Sequence, residues 1–282
     1  MKILKLKSPG KINLRLDVFD KRPDGYHNIR MLNSAVNVYD DIEIQLVERG
    51  VEIVCDNDPL VPLGEDNIAF KACKEIMAYS NKNVGVRIVI KKNIPVASGM
   101  GGGSSNAASV IMGLNQMLKI NLSIEKLMKI GFRFGSDIPF FMFGAPAVAT
   151  GIGETLTKVK KMPTMPMVLV NPGVSVPTKS VYEKYQRTNS LTPVELPNEF
   201  TTKKAVVRVL NNDLERVTTK QVPVVQEIKE MLMKYGALAS QMTGSGPTVF
   251  GIFPDKEKAE KAAKKVQTHG DTKWRVFVAE NV

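Results

Sequence analysis

Cysteine and histidine are almost missing from this chain: Cys55, Cys73, His27 and His269 are all that its 282 residues contain. With no CxxC pair and too few histidines for a zinc cluster, the thiols are expected to be reduced and structural. Tryptophan occurs once and aromatics make up only 6% of the chain, without the basic, aromatic-interleaved pattern of a nucleic-acid-binding module. Long apolar runs are lacking too. Lysines interrupt the N-terminal stretch MKILKLKSPGKINLRLDV, which argues against a signal peptide or a spanning helix. Repeats and low-complexity tracts are absent. These absences predict a soluble, cytosolic, globular protein with no nucleic-acid or membrane partner.

What is present is an ordinary core-forming composition, 43% hydrophobic and 24% charged, with a formal net charge of +11. Such a charge suits anionic partners, the phosphates of a nucleotide among them, although the mixed-sign run DKEKAEKAAKK (255–265) reads as a solvated helix face. Period-two alternation at Ile12-Leu14-Leu16-Val18, Ile42-Ile44-Leu46 and Val84-Val86-Ile88-Ile90 predicts half-buried strands. Helical spacing marks Asn67–Tyr79 and Ala107–Leu118. The stretch KVKKMPTMP (Lys158–Pro166) suits a connection between lobes. Beyond it the pattern predicts a strand at Val168–Val170, helices at Lys179–Tyr185, Lys203–Leu210 and Val224–Tyr235, a strand at Val249–Phe253, a helix at Lys256–Gln267 and a strand at Arg275–Val278. This is an α+β arrangement rather than a regular βαβ series.

The strongest local signal is Pro95-Val96-Ala97-Ser98-Gly99-Met100-Gly101-Gly102-Gly103-Ser104-Ser105-Asn106-Ala107-Ala108-Ser109, between a predicted strand and an amphipathic helix. Four glycines in five residues lose much backbone freedom on ordering, so a merely connective turn would seldom concentrate them. A helix beginning just after them would aim unpaired N–H groups and its positive dipole end at the loop, with Ser104 and Ser105 adding hydroxyls. That cradle suits a polyphosphate. It is not a Walker A motif, and the GxGxxG of a dinucleotide fold is unmatched, since no acid stands at a suitable strand end about 20 residues on.

The segment PVASGMGGGSSNAA resembles the second motif of the GHMP kinases. Ser8-Pro9-Gly10-Lys11-Ile12-Asn13-Leu14 is similar to that family's first motif, and Met242-Thr243-Gly244-Ser245-Gly246-Pro247-Thr248-Val249-Phe250-Gly251 to its third. The resemblance implies an α+β, two-lobed GHMP kinase fold: a ribosomal protein S5 domain 2-like, ATP-binding N-terminal domain over residues 1–157 and an α+β sandwich C-terminal domain over 158–282. It implies ATP and Mg2+ as cofactors and an alcohol as phosphoryl acceptor. Arg22-Pro23-Asp24-Gly25-Tyr26-His27, Gly135-Ser136-Asp137-Ile138-Pro139-Phe140-Phe141, Gly151-Ile152-Gly153-Glu154 and Pro177–Tyr182 are similar to the branch whose substrate carries a cytidine diphosphate. Met100 stands where the family more often has leucine, and Asn106 where aspartate is also common. The acidic magnesium ligand of the mevalonate kinase branch has no counterpart in the loop, so no metal ligand is assigned.

By that resemblance Asp137 acts as the base, while Lys11 orients the acceptor hydroxyl and keeps Asp137 ionised. Tyr26 and Tyr182 flank a cytosine whose edge His27 reads, and Asn13 places the substrate hydroxyl or phosphate. Pro95, Ser98, Gly99, Gly101, Gly102, Gly103, Ser104 and Ser105 surround the ATP phosphates, with Asn67 at adenine and Lys92 approaching the nucleotide. Thr243–Gly246 either supports the first glycine turn, meets substrate phosphates, or is a strand-entry turn. The competing expectations are a homoserine or mevalonate kinase of the same family, disfavoured by Tyr26-His27, and a non-catalytic nucleotide-binding regulator, disfavoured by Lys11 with Asp137.

Overall fold

A computed structural model describes residues 3–187 and 195–282. In chain order it contains strands β1 (Ile3–Lys21), β2 (His27–Val47) and β3 (Val51–Val54), helix α1 (Ile68–Met77), strand β4 (Gly85–Lys91), then helices α2 (Gly102–Met117), α3 (Ile124–Phe132) and α4 (Ile138–Phe143). Strands β5 (Ala147–Gly151), β6 (Thr155–Lys158) and β7 (Pro166–Asn171) follow, then α5 (Thr178–Lys184), α6 (Lys203–Val209), β8 (Asn211–Asn212), α7 (Glu215–Gln221) and α8 (Val224–Lys234). Strands β9 (Ala239–Met242) and β10 (Val249–Ile252), helix α9 (Lys256–His269) and strand β11 (Arg275–Glu280) complete the chain. The chain forms two compact units, one holding residues up to Gly10, Val38–Val96 and Gly101–Gly144, the other Lys11–Asn37, Ala97–Met100 and Ala145 onward.

In the first unit β4 runs antiparallel to the latter part of β2 and parallel to β3, with Ile44 opposite Ile88 and Ile53 opposite Ile88 on the other side. That register puts Ile42, Ile44, Ile88 and Ile90 in one core with Ala72 and Ile76 of α1 and Ile111 and Leu114 of α2. The cyclic spacing of those helical residues buries one face, and each large side chain contributes about 1.5–3 kcal/mol on burial. Asn67 starts α1 by accepting from the Ala69 N–H at 2.8 Å, and Ser123 does the same for α3, which satisfies first-turn donors.

The second unit contains an antiparallel sheet in the order β11-β7-β10-β9. Every residue of β7 is buried, and Val225, Ile228 and Leu232 of α8 join Ala259, Ala262 and Val266 of α9 in the same core. In α9 the lysines and glutamates stay outside, as the mixed-sign run predicts, with Lys261 and Glu257 paired at 2.6 Å. β1 reaches this unit from Lys11 onward and pairs in parallel with β8 through Arg15–Asn211 and Leu16–Asn212.

Two sequence expectations change here. Residues 10–18 of β1 are buried at every position rather than alternately, because polar Lys11, Asn13, Arg15 and Asp17 are enclosed through hydrogen bonds instead of facing water. The helix predicted over Ala107–Leu118 starts earlier, at Gly102, so two glycines and two serines form its first turn. Tertiary packing overrides their poor helix propensity there.

Candidate active site

In the first unit the glycine-rich segment becomes the start of α2. Gly101 occupies the N-cap position with no side-chain cap, which leaves the first-turn N–H groups aimed outward along the helix dipole. A Cβ on Gly102 would lie 3.0 Å from the Lys92 Nζ and from the Ile94 side chain, so the turn rests directly on the end of β4. The Lys92 ammonium is buried against Asp40. Asp40 also accepts from the Asn93 and Ile94 N–H groups at 2.7 and 2.8 Å, fixing the entry to Pro95. The Ser105 hydroxyl is buried and accepts from Ser8 Oγ at 2.7 Å, so it braces the turn from below, whereas Ser104 is half-buried. Asn106, one residue further, has a buried Oδ1 with no hydrogen-bond partner among the described residues.

Asn67 also serves this unit structurally, donating to the Pro62 carbonyl at 2.7 Å while capping α1. Asp137 stands at the N-cap position of α4, yet its side chain makes no capping bond. Helix capping therefore does not account for this carboxylate. The turn before it packs on the glycine segment: a Cβ on Gly135 would lie 3.7 Å from Ser104 Oγ.

In the second unit three distant segments converge. The Lys11 ammonium, with the residue only 3% exposed, donates to Asn13 Oδ1 at 2.6 Å, and its backbone N–H donates to the Met100 carbonyl at 2.9 Å. Asn13 donates from Nδ2 to Asn33 Oδ1 at 2.7 Å, and its backbone N–H donates to Thr243 Oγ1 at 2.9 Å. Thr243 Oγ1 lies 3.4 Å from the Gly99 carbonyl oxygen, and Thr248 N–H donates to the Ser98 carbonyl at 3.3 Å. Gly99, at φ +77°, has no room for a Cβ, which would overlap the Thr243 carbonyl oxygen. The third motif thus supports the first glycine turn. Ala97 just before it takes φ +51°, a left-handed conformation that a residue with a Cβ adopts only where its surroundings hold it.

The same unit carries the aromatic residues. Tyr26 stands 62% exposed at the tip of the turn between β1 and β2, which the Arg22 N–H closes by donating to the Tyr26 carbonyl at 2.7 Å. His27 starts β2, and its ring centroid lies 5.7 Å from that of Tyr182 at an interplanar angle of 32°. Tyr185 meets His27 edge-on at 6.1 Å. Burial, reinforced by the charge of Lys21, holds the His27 imidazole below its ordinary pKa, so the ring is neutral at pH 7 and offers one donor and one acceptor nitrogen. Sequence reasoning passed over Asp40, Asn33 and Tyr185. Tyr185 alone left a local signal, its three-residue spacing from Tyr182.

With that geometry in view, comparison with known proteins is specific. The model of the GHMP kinases N terminal domain matches residues 67–145, and that of the GHMP kinases C terminal matches 203–272. A 4-diphosphocytidyl-2-C-methyl-D-erythritol kinase from Geobacter metallireducens is 46% identical over 272 residues, 96% of either chain. One of the same name from Syntrophus aciditrophicus is 43% identical over 282 residues, covering 99% of this chain and 100% of the relative. A crystal structure of 4-(cytidine 5'-diphospho)-2C-methyl-D-erythritol kinase superposes with a TM-score of 0.81 at 28% identity over 99% of both chains. A homoserine kinase from Cytophaga hutchinsonii, at 16% identity and a TM-score of 0.77 over 100% of this chain and 98% of its own, shares the fold.

Proposed function

We propose, from the premise that this chain belongs to the GHMP kinases and within them to the 4-diphosphocytidyl-2-C-methyl-D-erythritol kinase family, that it phosphorylates the 2-hydroxyl of the substrate in that name. As a family member it is an ATP-dependent small-molecule kinase. The observation that carries the substrate reading is the second unit's His27 with Tyr182: a neutral imidazole and a phenol ring spaced to meet the edge and face of a pyrimidine. Tyr26, exposed and next to His27 in the chain, is proposed for the other face.

For the remaining residues we propose the roles that the family resemblance implies. Asp137, by the family resemblance, accepts the proton of the acceptor hydroxyl. Lys11 donates to that hydroxyl, its ammonium held in place by Asn13, which Thr243 and Asn33 fix in turn. In the first unit Gly101, Gly102, Gly103 and Ser104 offer N–H groups and a hydroxyl to the ATP phosphates, and Ser98 and Gly99 of the second unit are proposed for the same ligand. Ser105 and Pro95 brace the turn. Lys92, fixed under Gly102 by Asp40, supports the turn from below, and Asn67 is proposed for the adenine side. When bound, ATP supplies the transferable phosphoryl group and Mg2+ offsets its charge. Mg2+ keeps several waters and binds substrate phosphates with one or two carboxylates at most, and no metal ligand is assigned here.

The test is ADP release with a panel of alcohol acceptors. Turnover is expected with the cytidine diphosphate of methylerythritol and not with homoserine or mevalonate; preference for either of the latter would overturn the substrate reading, and ATP binding without any turnover would favour a regulator.

A further inference from the structure

We infer that Tyr185 is a specificity-determining positioning residue: it clamps His27 edge-on so that the imidazole presents its nitrogens to the base in one orientation, selecting cytosine over uracil. The inference rests on the cytidine reading above and deepens it.

Tyr185 closes α5, three residues after Tyr182, so one helical turn delivers both rings to the same side. The two meet His27 differently. Tyr182 is tilted from the imidazole plane by 32°, whereas the Tyr185 ring stands across it at 87°. The imidazole turns about its Cβ–Cγ bond; Tyr182 limits that turn from one side, and a second ring set across the imidazole limits it from another, provided the second ring is itself fixed.

Tyr185 is fixed at three places. Its hydroxyl donates to the Val18 carbonyl at 3.1 Å and lies 3.5 Å from Asp213 Oδ2. Asp213 Oδ2 in turn accepts from the Val18 N–H at 2.8 Å, while its Oδ1 accepts from Asn211 Nδ2 at 2.9 Å. The Arg216 guanidinium sits over the Tyr185 ring, 5.1 Å from its centroid. Burial, followed by the charge of Asp213, raises the phenol above its ordinary pKa, which keeps the hydroxyl protonated as the donor this arrangement requires. Strand β1, helix α7 and the end of α5 thus all hold the ring that stands across His27. Cytosine and uracil differ at the base edge in donor and acceptor order, so a rotated imidazole would lose the distinction.

The experiment measures kcat/KM for the cytidine substrate and for its uridine analogue in the full-length enzyme. Tyr185→Phe keeps the ring and removes the anchor; Tyr185→Leu removes the edge. Tyr185→Phe is expected to raise KM for the cytidine substrate roughly 2–10-fold, the size of one lost hydrogen bond. KM for ATP and kcat stay unchanged and the cytidine-to-uridine ratio narrows, with Tyr185→Leu narrowing it further. If both variants keep the wild-type ratio while His27→Ala collapses it, the clamp is overturned and the cytidine reading stands. If His27→Ala also leaves the ratio unchanged, the reading of His27 itself fails. A rise in both KM values at an unchanged ratio marks Tyr185 as packing only and equally overturns the inference.

Discussion

Asp137, at the start of α4, makes no side-chain capping bond and is the residue proposed as base. Asp137→Asn preserves its shape and removes its basicity. The expected outcome is a fall in kcat of about 10²–10⁴-fold, the usual worth of a positioned base, with ATP affinity by calorimetry unchanged; near-normal turnover would take Asp137 out of the proton-accepting role. His27 carries a pH prediction of definite sign. Its pKa lies below 6.5 in the fold because of burial and Lys21, so the neutral form is the folded form and protonation favours the unfolded chain. KM for the cytidine substrate should therefore stay flat from pH 8 down to about 6.5, the unperturbed imidazole value, and rise only at lower pH. In His27→Gln that acidic limb should vanish, and a limb centred above 6.5 in the wild type would contradict the burial argument.

At the scale of elements, the glycine-rich segment was the most legible feature of the sequence, because concentrated glycine is costly and so demands a cause. Its structural cause could be read only in three dimensions. Gly99 is required because the Thr243 carbonyl lies where a Cβ would be, a contact between residues far apart in the chain that no local pattern announces. Gly25 provides the control: it too has positive φ, +87°, but nothing lies within 4 Å of its Cβ position. Gly25→Ala should cost only the left-handed penalty of about 1–2 kcal/mol. Gly99→Ala should add overpacking of about 1–3 kcal/mol, read as a lower denaturation midpoint together with a raised KM for ATP. Equal losses in the two variants would refute the bracing of one motif by the other. The same contrast explains what else was legible. Long amphipathic stretches such as Val224–Lys234 and Lys256–His269 appeared as helices because one apolar stripe suffices to mark them. β8, two residues long, and the short α4 and α7 carry too little pattern to detect. The burial of the polar strand residues Asn13 and Asn33 left no local signal, because their partners lie far away in the chain.

The whole molecule carries +11 formal charges and its proposed substrates are both polyanions, so long-range attraction should assist encounter and weaken as salt screens it. Most lysines with assigned partners sit in exposed pairs such as Lys74–Glu65 and Lys261–Glu257, which salt weakens readily. Lys11 and the Lys92–Asp40 pair are buried instead, and charges withdrawn from solvent are screened far less. The two populations of charge therefore separate in kinetics. Raising ionic strength from about 0.01 to 0.15 M, which shortens the Debye length from roughly 30 to 8 Å, should lower kcat/KM for ATP and for the cytidine substrate together while leaving kcat unchanged. A kcat that falls in parallel would mean that the groups acting on the transferred phosphoryl are exposed to salt, contrary to the burial of Lys11; a flat kcat/KM would mean that the positive surface plays no part in capturing substrate.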